Sequence, residues 1–195
     1  MEAERPAGGV PPTNPPRSSE APVEGSAAPG PVRYARSQDV RPMFALINER
    51  DKGDFFLSRS YAYLYDHIRD FQVCERDGEI VGCTGLHIYW SDLGEIYATA
   101  AAPGPDQVEV KRTLVQAALD EARRIGLGQV YTLSTNPEFF EEFGFRRSRR
   151  EDLPQILWQV CVECPLFYDC VESVLVIETA PEGGTVATGA GGLAT

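Results

Sequence analysis

No run of apolar residues in this 195-residue chain approaches the roughly 20 that a membrane-spanning helix requires, so no membrane partner is expected. The first residues are acidic and proline-rich, without the apolar stretch of a secretory signal, and a cytoplasmic location follows. Positive charge is also short. A formal net charge of −11 makes the chain a poor ligand for nucleic acid or anionic lipid. Cysteine is sparse, five residues, and without export signals these read as reduced thiols rather than disulfides. Large apolar side chains are nearly missing from both ends. Residues 1–31 are rich in Pro, Gly, Ala and Ser, and residues 179–195 in Gly, so neither can offset the entropy of ordering. Both read as disordered. Between them, residues 32–178 have the size of one ordinary domain.

That middle segment has a clear punctuation. Val32–Arg36 alternates as a strand, and Ser37 or Asp39 offers an N-cap for a helix with Val40, Met43, Phe44 and Ile47 on one face. A second helical pattern runs from Arg59 to Asp70. Phe71–Glu75 and Glu79–Trp90 flank Asp77-Gly78, a strong hairpin signal, and Ser91-Asp92 leads into Leu93–Ala101. Val110, Leu114, Val115, Ala118, Leu119 and Ala122 recur at helical spacing until Gly126 and Gly128 stop them. Val130–Leu133 reads as a buried strand, Pro137–Glu142 as a short helix, and a last strand follows. The order is strand, two helices, a three-strand meander, helix, strand, helix, strand. It predicts an α/β (α+β) domain with a mixed, mostly antiparallel central sheet flanked by helices.

Four segments carry a resemblance. They are Asp77–Cys83; His87-Ile88-Tyr89-Trp90 with Leu93-Gly94-Glu95-Ile96; Pro137–Phe145; and Cys161-x-x-Cys164-Pro165-x-Phe167-x-x-Cys170. Together they resemble the GNAT acetyltransferases, and within them the short bacterial N-acetylglutamate synthases of arginine and amino-acid biosynthesis. The resemblance implies an acyl-CoA-dependent N-acetyltransferase acting on a small amine, the α-amino group of glutamate being the leading acceptor. It implies acetyl-CoA as donor and leaves room for a homodimer. It also implies that Leu93–Ala101 and Val130–Leu133 splay apart to admit the thioester arm.

Acyl transfer to an amine needs a proton acceptor, alignment with the thioester, and donors for the carbonyl oxygen. By resemblance, Glu95 is the proton acceptor; read from the residues alone, it is equally a surface carboxylate on an alternating strand. The backbone of Ile96, Tyr97 and Ala98 is placed against the thioester. His87 is a weaker base candidate. The helix that carries a catalytic tyrosine in many relatives here carries Phe139 and Phe140. Arg59 matches a substrate-facing arginine, its bland alternative being a solvated residue near a helix start. After Leu153-Pro154 the subgroup tends to have a lysine, where this chain has Gln155.

The donor loop departs most from the family. Its Gln/Arg-x-x-Gly-x-Gly/Ala signature lets close-packed amides at a helix start face a pyrophosphate. Here Asp106, Glu109 and Lys111 stand at the matching positions, and Pro103 and Pro105 remove two N–H donors. Val108, Glu109, Val110, Lys111 and Arg112 remain as the donor-binding segment, with Asp106 and Glu109 equally readable as helix caps. Weak acetyl-CoA binding, another acyl donor, or a catalytically impaired regulatory or binding module are the three outcomes. Cys161, Cys164 and Cys170 offer three ligands for a structural zinc, with Cys74, Cys83, His67 or His87 as the fourth; otherwise they are packed thiols. Arg146, Arg147, Arg149 and Arg150 read as a solvated run or as a docking patch for an anionic partner.

Overall fold

The computed structural model describes residues 30–48, 59–153 and 169–179. Nearly all of the proline-rich and glycine-rich ends, Pro154-Gln155-Ile156, Cys161 and Cys164 lie outside the described residues. Seven strands form one sheet in the order β1–β2–β3–β4–β5–β7–β6. These are β1 (Val32–Tyr34), β2 (Phe71–Arg76), β3 (Glu79–Trp90), β4 (Leu93–Ala101), β5 (Gln129–Ser134), β6 (Arg146–Ser148) and β7 (Ser173–Glu178). All neighbouring pairs are antiparallel except β4 with β5. The helices among the described residues are α1 (Val40–Asn48), α2 (Tyr61–Asp66), α3 (Gln107–Arg124) and α4 (Pro137–Glu141). The mixed, mostly antiparallel sheet expected from the pattern is present.

Three details differ from the pattern. Two strands rather than one follow α4, because Arg146–Ser148 is three residues long and wholly polar, with no alternation to signal it. The helix expected over Arg59–Asp70 is α2, capped by Ser60 Oγ accepting from Tyr63 N–H at 3.1 Å, followed by a separate tight turn at Ile68–Asp70. Neither Ser37 nor Asp39 holds the N-cap position: Arg36 does, at the head of a tight turn over Ser37–Asp39 that runs into α1, and Asp39 closes a capping box with it. The Asp39 carboxylate accepts from Arg36 N–H at 2.8 Å and is ion-paired with Arg33 at 2.7 Å.

The period-2 alternation of β3 divides the core between two faces. Gly82 and Leu86 face α3, which lays Val110, Leu114, Val115, Ala118, Leu119 and Ala122 on the sheet. Each large aliphatic side chain buried there contributes about 1.5–3 kcal/mol, far more than helix propensity differences supply. Cys83 faces the opposite side, with Phe71, Val73, Val40, Met43, Ile47 and Leu64 from β2 and the first two helices. At the far end of α3, Gly126 adopts φ +83° while Leu127 N–H returns to the Ala122 carbonyl at 2.9 Å, turning the chain directly into β5.

Two irregularities centre on β4. Cys83 pairs with Ala100 and Gly85 with Tyr97, so β4 spends one residue more than β3 over that stretch. Ala98 absorbs the bulge with φ +49°, a left-handed conformation that costs a non-glycine residue about 1–2 kcal/mol. On the other side, β4 pairs with β5 only through Leu93–Gln129, Gly94–Val130 and Glu95–Tyr131. Beyond Tyr131, β5 stays with β7 to Ser134 and leaves β4. The sheet forks at its centre.

Gly85 makes room at this fork. A Cβ there would meet three carbons of the Tyr97 ring, Cζ at 2.7 Å. Gly85→Val is expected to lower unfolding free energy by about 1–3 kcal/mol, as overpacked cores do. Urea denaturation measures it; a midpoint unchanged from wild type contradicts the packing described.

Candidate active site

One row of residues crosses the sheet where the fork begins. His87 on β3 pairs with Glu95 on β4, and Glu95 pairs with Tyr131 on β5. Side chains in register on one face are near neighbours. Tyr89, two residues after His87 and so on the same face, donates its hydroxyl to Glu95 Oε2 at 3.1 Å, and the Tyr131 hydroxyl also bonds this carboxylate. Burial pushes the Glu95 carboxyl above the usual glutamate range, opposed by the two tyrosine hydrogen bonds and by the charges of Arg59 and His87. Burial and the Glu95 charge push the Tyr89 and Tyr131 hydroxyls far upward, so both remain protonated donors. Glu95 is therefore an inward, hydrogen-bonded acid with a raised proton affinity, not a surface carboxylate.

A second layer surrounds this row. His87 Nδ1 lies 2.7 Å from Asp70 Oδ2, and that carboxylate raises the imidazole pKa. Tyr97 donates to the same oxygen at 3.3 Å. Arg59 reaches in from the start of α2, its guanidinium 4.4 Å from the Tyr63 ring centre and 5.7 Å from that of Tyr97. Asn48, at the end of α1, clasps the Arg59 backbone from both sides: its amide donates to the Arg59 carbonyl at 3.1 Å, and its oxygen accepts from the Arg59 N–H at 3.0 Å. The arginine is thus anchored and stacked on aromatic faces, an arrangement that suits guanidinium and not ammonium. Glu172, just before β7, is buried enough for its carboxyl pKa to rise, with Arg150 and Arg59 offsetting part of that.

Behind the row, the fork opens into a cavity. It is lined by Tyr97, Ala98 and Thr99 of β4, Thr132, Leu133 and Ser134 of β5, Thr135 and Asn136, Val108 and Lys111 of α3, and Phe139 and Phe140 of α4. Its walls carry hydroxyls and open strand backbone on two sides and apolar rings on a third. Tyr97 joins the two regions: the residue lines the cavity and its hydroxyl belongs to the Asp70 layer.

Of the residues singled out in the sequence, Glu95, Arg59, Tyr97, Ala98, Val108 and Lys111 converge on this place. The Ile96 side chain does not, being buried beneath α3. Val110 is buried against Cys74, Ala101 and Leu114, so its side chain faces the core and not a ligand. Glu109 and Arg112 lie on an outer groove of α3 with Val32 and Phe143, 3.9 Å from each other, and Arg112 is also paired with Glu142. A helix turns by 100° per residue, so five consecutive positions cannot all face one slot. Asp106 is the N-cap residue of α3, yet its side chain makes no capping bond and is ion-paired with Arg76.

The zinc expectation finds no support. Cys170 Sγ accepts from the Arg150 guanidinium at 2.9 Å, while Cys74 and Cys83 are buried in separate apolar clusters. His67 Nδ1 lies 3.0 Å from the Tyr63 carbonyl and His87 is engaged with Asp70. Among the described residues, no three His, Cys, Asp or Glu side chains could share a metal. The arginine run is a paired surface: Arg146 with Glu178, Arg147 with Glu138 and Glu141, and Arg149 with Asp152. Tyr89, Tyr131, Asp70 and Glu172 were missed in the sequence. The spacing of His87 and Tyr89 could have shown one of them, once the Ser91-Asp92 turn fixed which β3 residues face Glu95.

Comparisons with known proteins place the chain in a family. The model of the acetyltransferase (GNAT) family matches residues 38–145. An amino-acid acetyltransferase of Neisseria meningitidis is 35% identical over 126 residues, 64% of this chain but 29% of that protein. An uncharacterized N-acetyltransferase of Chlorobaculum tepidum is 30% identical over 145 residues, 74% of this chain and 94% of that protein. The N-acetylglutamate synthase of Neisseria gonorrhoeae, solved with coenzyme A and N-acetyl-glutamate, superposes with a TM-score of 0.66 at 30% identity. That match covers 76% of this chain and 35% of that one.

The raised Glu95 carboxyl has a stability consequence. Its burial favours the protonated form, so its cost is absent below the unfolded-state pKa of about 4.3 and grows as pH rises. Glu95→Gln is expected to show a higher urea midpoint than wild type at pH 7, with the gap closing as pH falls toward 4. An equal or lower midpoint at pH 7 contradicts the description of Glu95 as a half-buried, desolvated acid.

Proposed function

The chain belongs to the acetyltransferase (GNAT) family, and from that premise we propose that it is an N-acetyltransferase moving an acetyl group from acetyl-CoA to the α-amino group of a small amino acid, glutamate foremost. The observation that carries this reading is the fork: β4 and β5 pair for three residues and then part, with Glu95 at the vertex and a lined cavity behind it. A thioester arm extended between the strands would meet unpaired backbone on both sides. Strands paired along their length would leave it no place.

In this reading the donor supplies an activated acyl carbon, and the protein supplies placement and a proton acceptor. Arg59, anchored by Asn48 and stacked on Tyr63, takes the acceptor's carboxylate. That orients the amine toward Glu95, which removes its proton directly or through one water. Burial makes Glu95 a better base than an ordinary glutamate, while Tyr89 and Tyr131 keep it deprotonated often enough to act. The nitrogen–acyl bond forms as the acyl–sulfur bond breaks; of the two protons the ammonium gives up, one passes through Glu95 to solvent and the other ends on the departing thiolate, so the exchange balances. The β4 backbone at Ile96–Ala98, where the bulge re-aims the chain, is assigned to the donor's carbonyl oxygen. The Val108 and Glu109 amides of the first turn of α3, with the Lys111 side chain in the cavity wall, are assigned to the donor's phosphates. The family's glycines are absent from that turn, so affinity below that of a glycine loop is expected. Relation to N-acetylglutamate synthases supports a place in arginine biosynthesis.

Titration calorimetry with acetyl-CoA and a thiol-release assay with glutamate test the proposal together. Glu95→Gln is expected to lower kcat by about 10²–10⁴-fold, the usual contribution of a general base. Arg59→Ala is expected to raise KM for glutamate by roughly 10–100-fold, the value of a hydrogen-bonded charge. Binding heat without turnover on any amino acid would leave an impaired binding module; no heat at millimolar donor removes the transferase reading.

Tyr131→Phe separates the proton-acceptor role from a structural one. The tyrosine hydrogen bond holds the Glu95 pKa down, so its removal drives that pKa further up. The acid limb of the kcat/KM profile is expected to move to higher pH. A limb that stays or moves lower excludes Glu95 as the titrating base.

A further inference from the structure

The junction of β4 and α3 places an acid where donor phosphates would dock, and its surroundings show how the chain tolerates it. A helix N-terminus attracts an anion through its first-turn amides and the aligned peptide dipoles. An aspartate at the N-cap ordinarily turns back and occupies those amides itself. Asp106 holds that position and does not. Its carboxylate is instead ion-paired with Arg76, the last residue of β2, and this guanidinium holds it below the usual aspartate range. The backbone around it is well fixed: Gln107 N–H donates to the Gly104 carbonyl at 3.2 Å and the Gln107 amide to the Ala101 carbonyl at 3.1 Å. Val110 N–H closes the first helical turn onto the Asp106 carbonyl at 3.0 Å. One turn on, Lys111 lines the forked cavity.

We propose that Arg76 is a positioning residue for the acyl donor: it draws the Asp106 carboxylate away from the first turn of α3, leaving the Val108 and Glu109 amides to the donor's phosphates. The inference rests on the reading that this turn receives the donor. Two anions compete for one helix start, and the tethered carboxylate always has the higher local concentration. Arg76 removes it from the competition and cancels much of its repulsion toward a second anion.

The test is a mutant cycle on the full chain, read by titration calorimetry with coenzyme A, with thermal melting alongside to register folding. Arg76→Ala is expected to weaken coenzyme A binding about tenfold, the scale of one freed charge near a phosphate. Arg76→Lys should keep most of the affinity. The double variant Arg76→Ala with Asp106→Ala should return to within about threefold of wild type, and Asp106→Ala alone should bind at least as tightly as wild type. If Arg76→Ala binds as wild type does, the inference is overturned while the donor site stands. If the double variant stays as weak as the single one, Arg76 acts by another route and the inference is overturned. Should Arg76→Ala fail to fold, weakened binding by Asp106→Ala alone overturns it. No coenzyme A binding by the wild type overturns both the donor reading and this one.

Discussion

Two strands that are neighbours in a sheet but stop pairing leave backbone groups that must find another partner. That constraint governs this molecule. β4 is held by β3 on one side and β5 by β7 on the other, so neither can follow the other past the Glu95–Tyr131 pair. The bulge at Ala98 turns β4 further away, and the cost of its left-handed backbone is offset by the packing around it. Phe139 and Phe140 of α4 wall the opening, and Gly85 leaves room for the Tyr97 ring against β3. The fork is therefore a product of the whole sheet, with Glu95 at its vertex.

Electrostatics around the vertex follow from the same register. Glu95, Asp70 and Glu172 bring three carboxylates to one region, with Arg59, Arg150 and His87 among them. Such a set is costly to bury unless every charge has a partner. Tyrosine hydroxyls and one anchored guanidinium supply partners without quenching Glu95, which keeps a raised affinity for protons. The Asp70 carboxylate serves His87 and Tyr97 together, tying the proton-handling layer to the cavity wall. A pocket with a desolvated base and a stacked arginine is suited to a small zwitterion whose ammonium must lose a proton.

The start of α3, proposed above to meet the donor, carries none of the glycines of the family's signature. Glycine-rich turns expose amides by having no side chains. This chain keeps side chains there and arranges charge instead: Asp106 is drawn to Arg76, Lys111 faces the cavity, and Glu109 lies on the outer face of α3. The motif is lost from the sequence, yet the helix start remains at the mouth of the fork.

Most of the fold was legible because its signals are local. The Asp77-Gly78 turn, the apolar stripe of α3 and the glycine at its end need only period and propensity, and each element formed where the pattern placed it. Arg146–Ser148 was not, since a short polar edge strand carries no period. The site was legible in part. Glu95 and Arg59 could be named through resemblance, but of their surroundings only Tyr89 left a local signal, because Tyr131, Asp70 and Glu172 come from three other segments. What the chain determined by itself was the order of its strands and helices, which depends on neighbours a few residues apart. Register, the bulge and the early end of β4–β5 pairing depend on contacts between distant segments, and only the folded sheet could decide which acid was buried, which charge met Asp106, and where the opening lay.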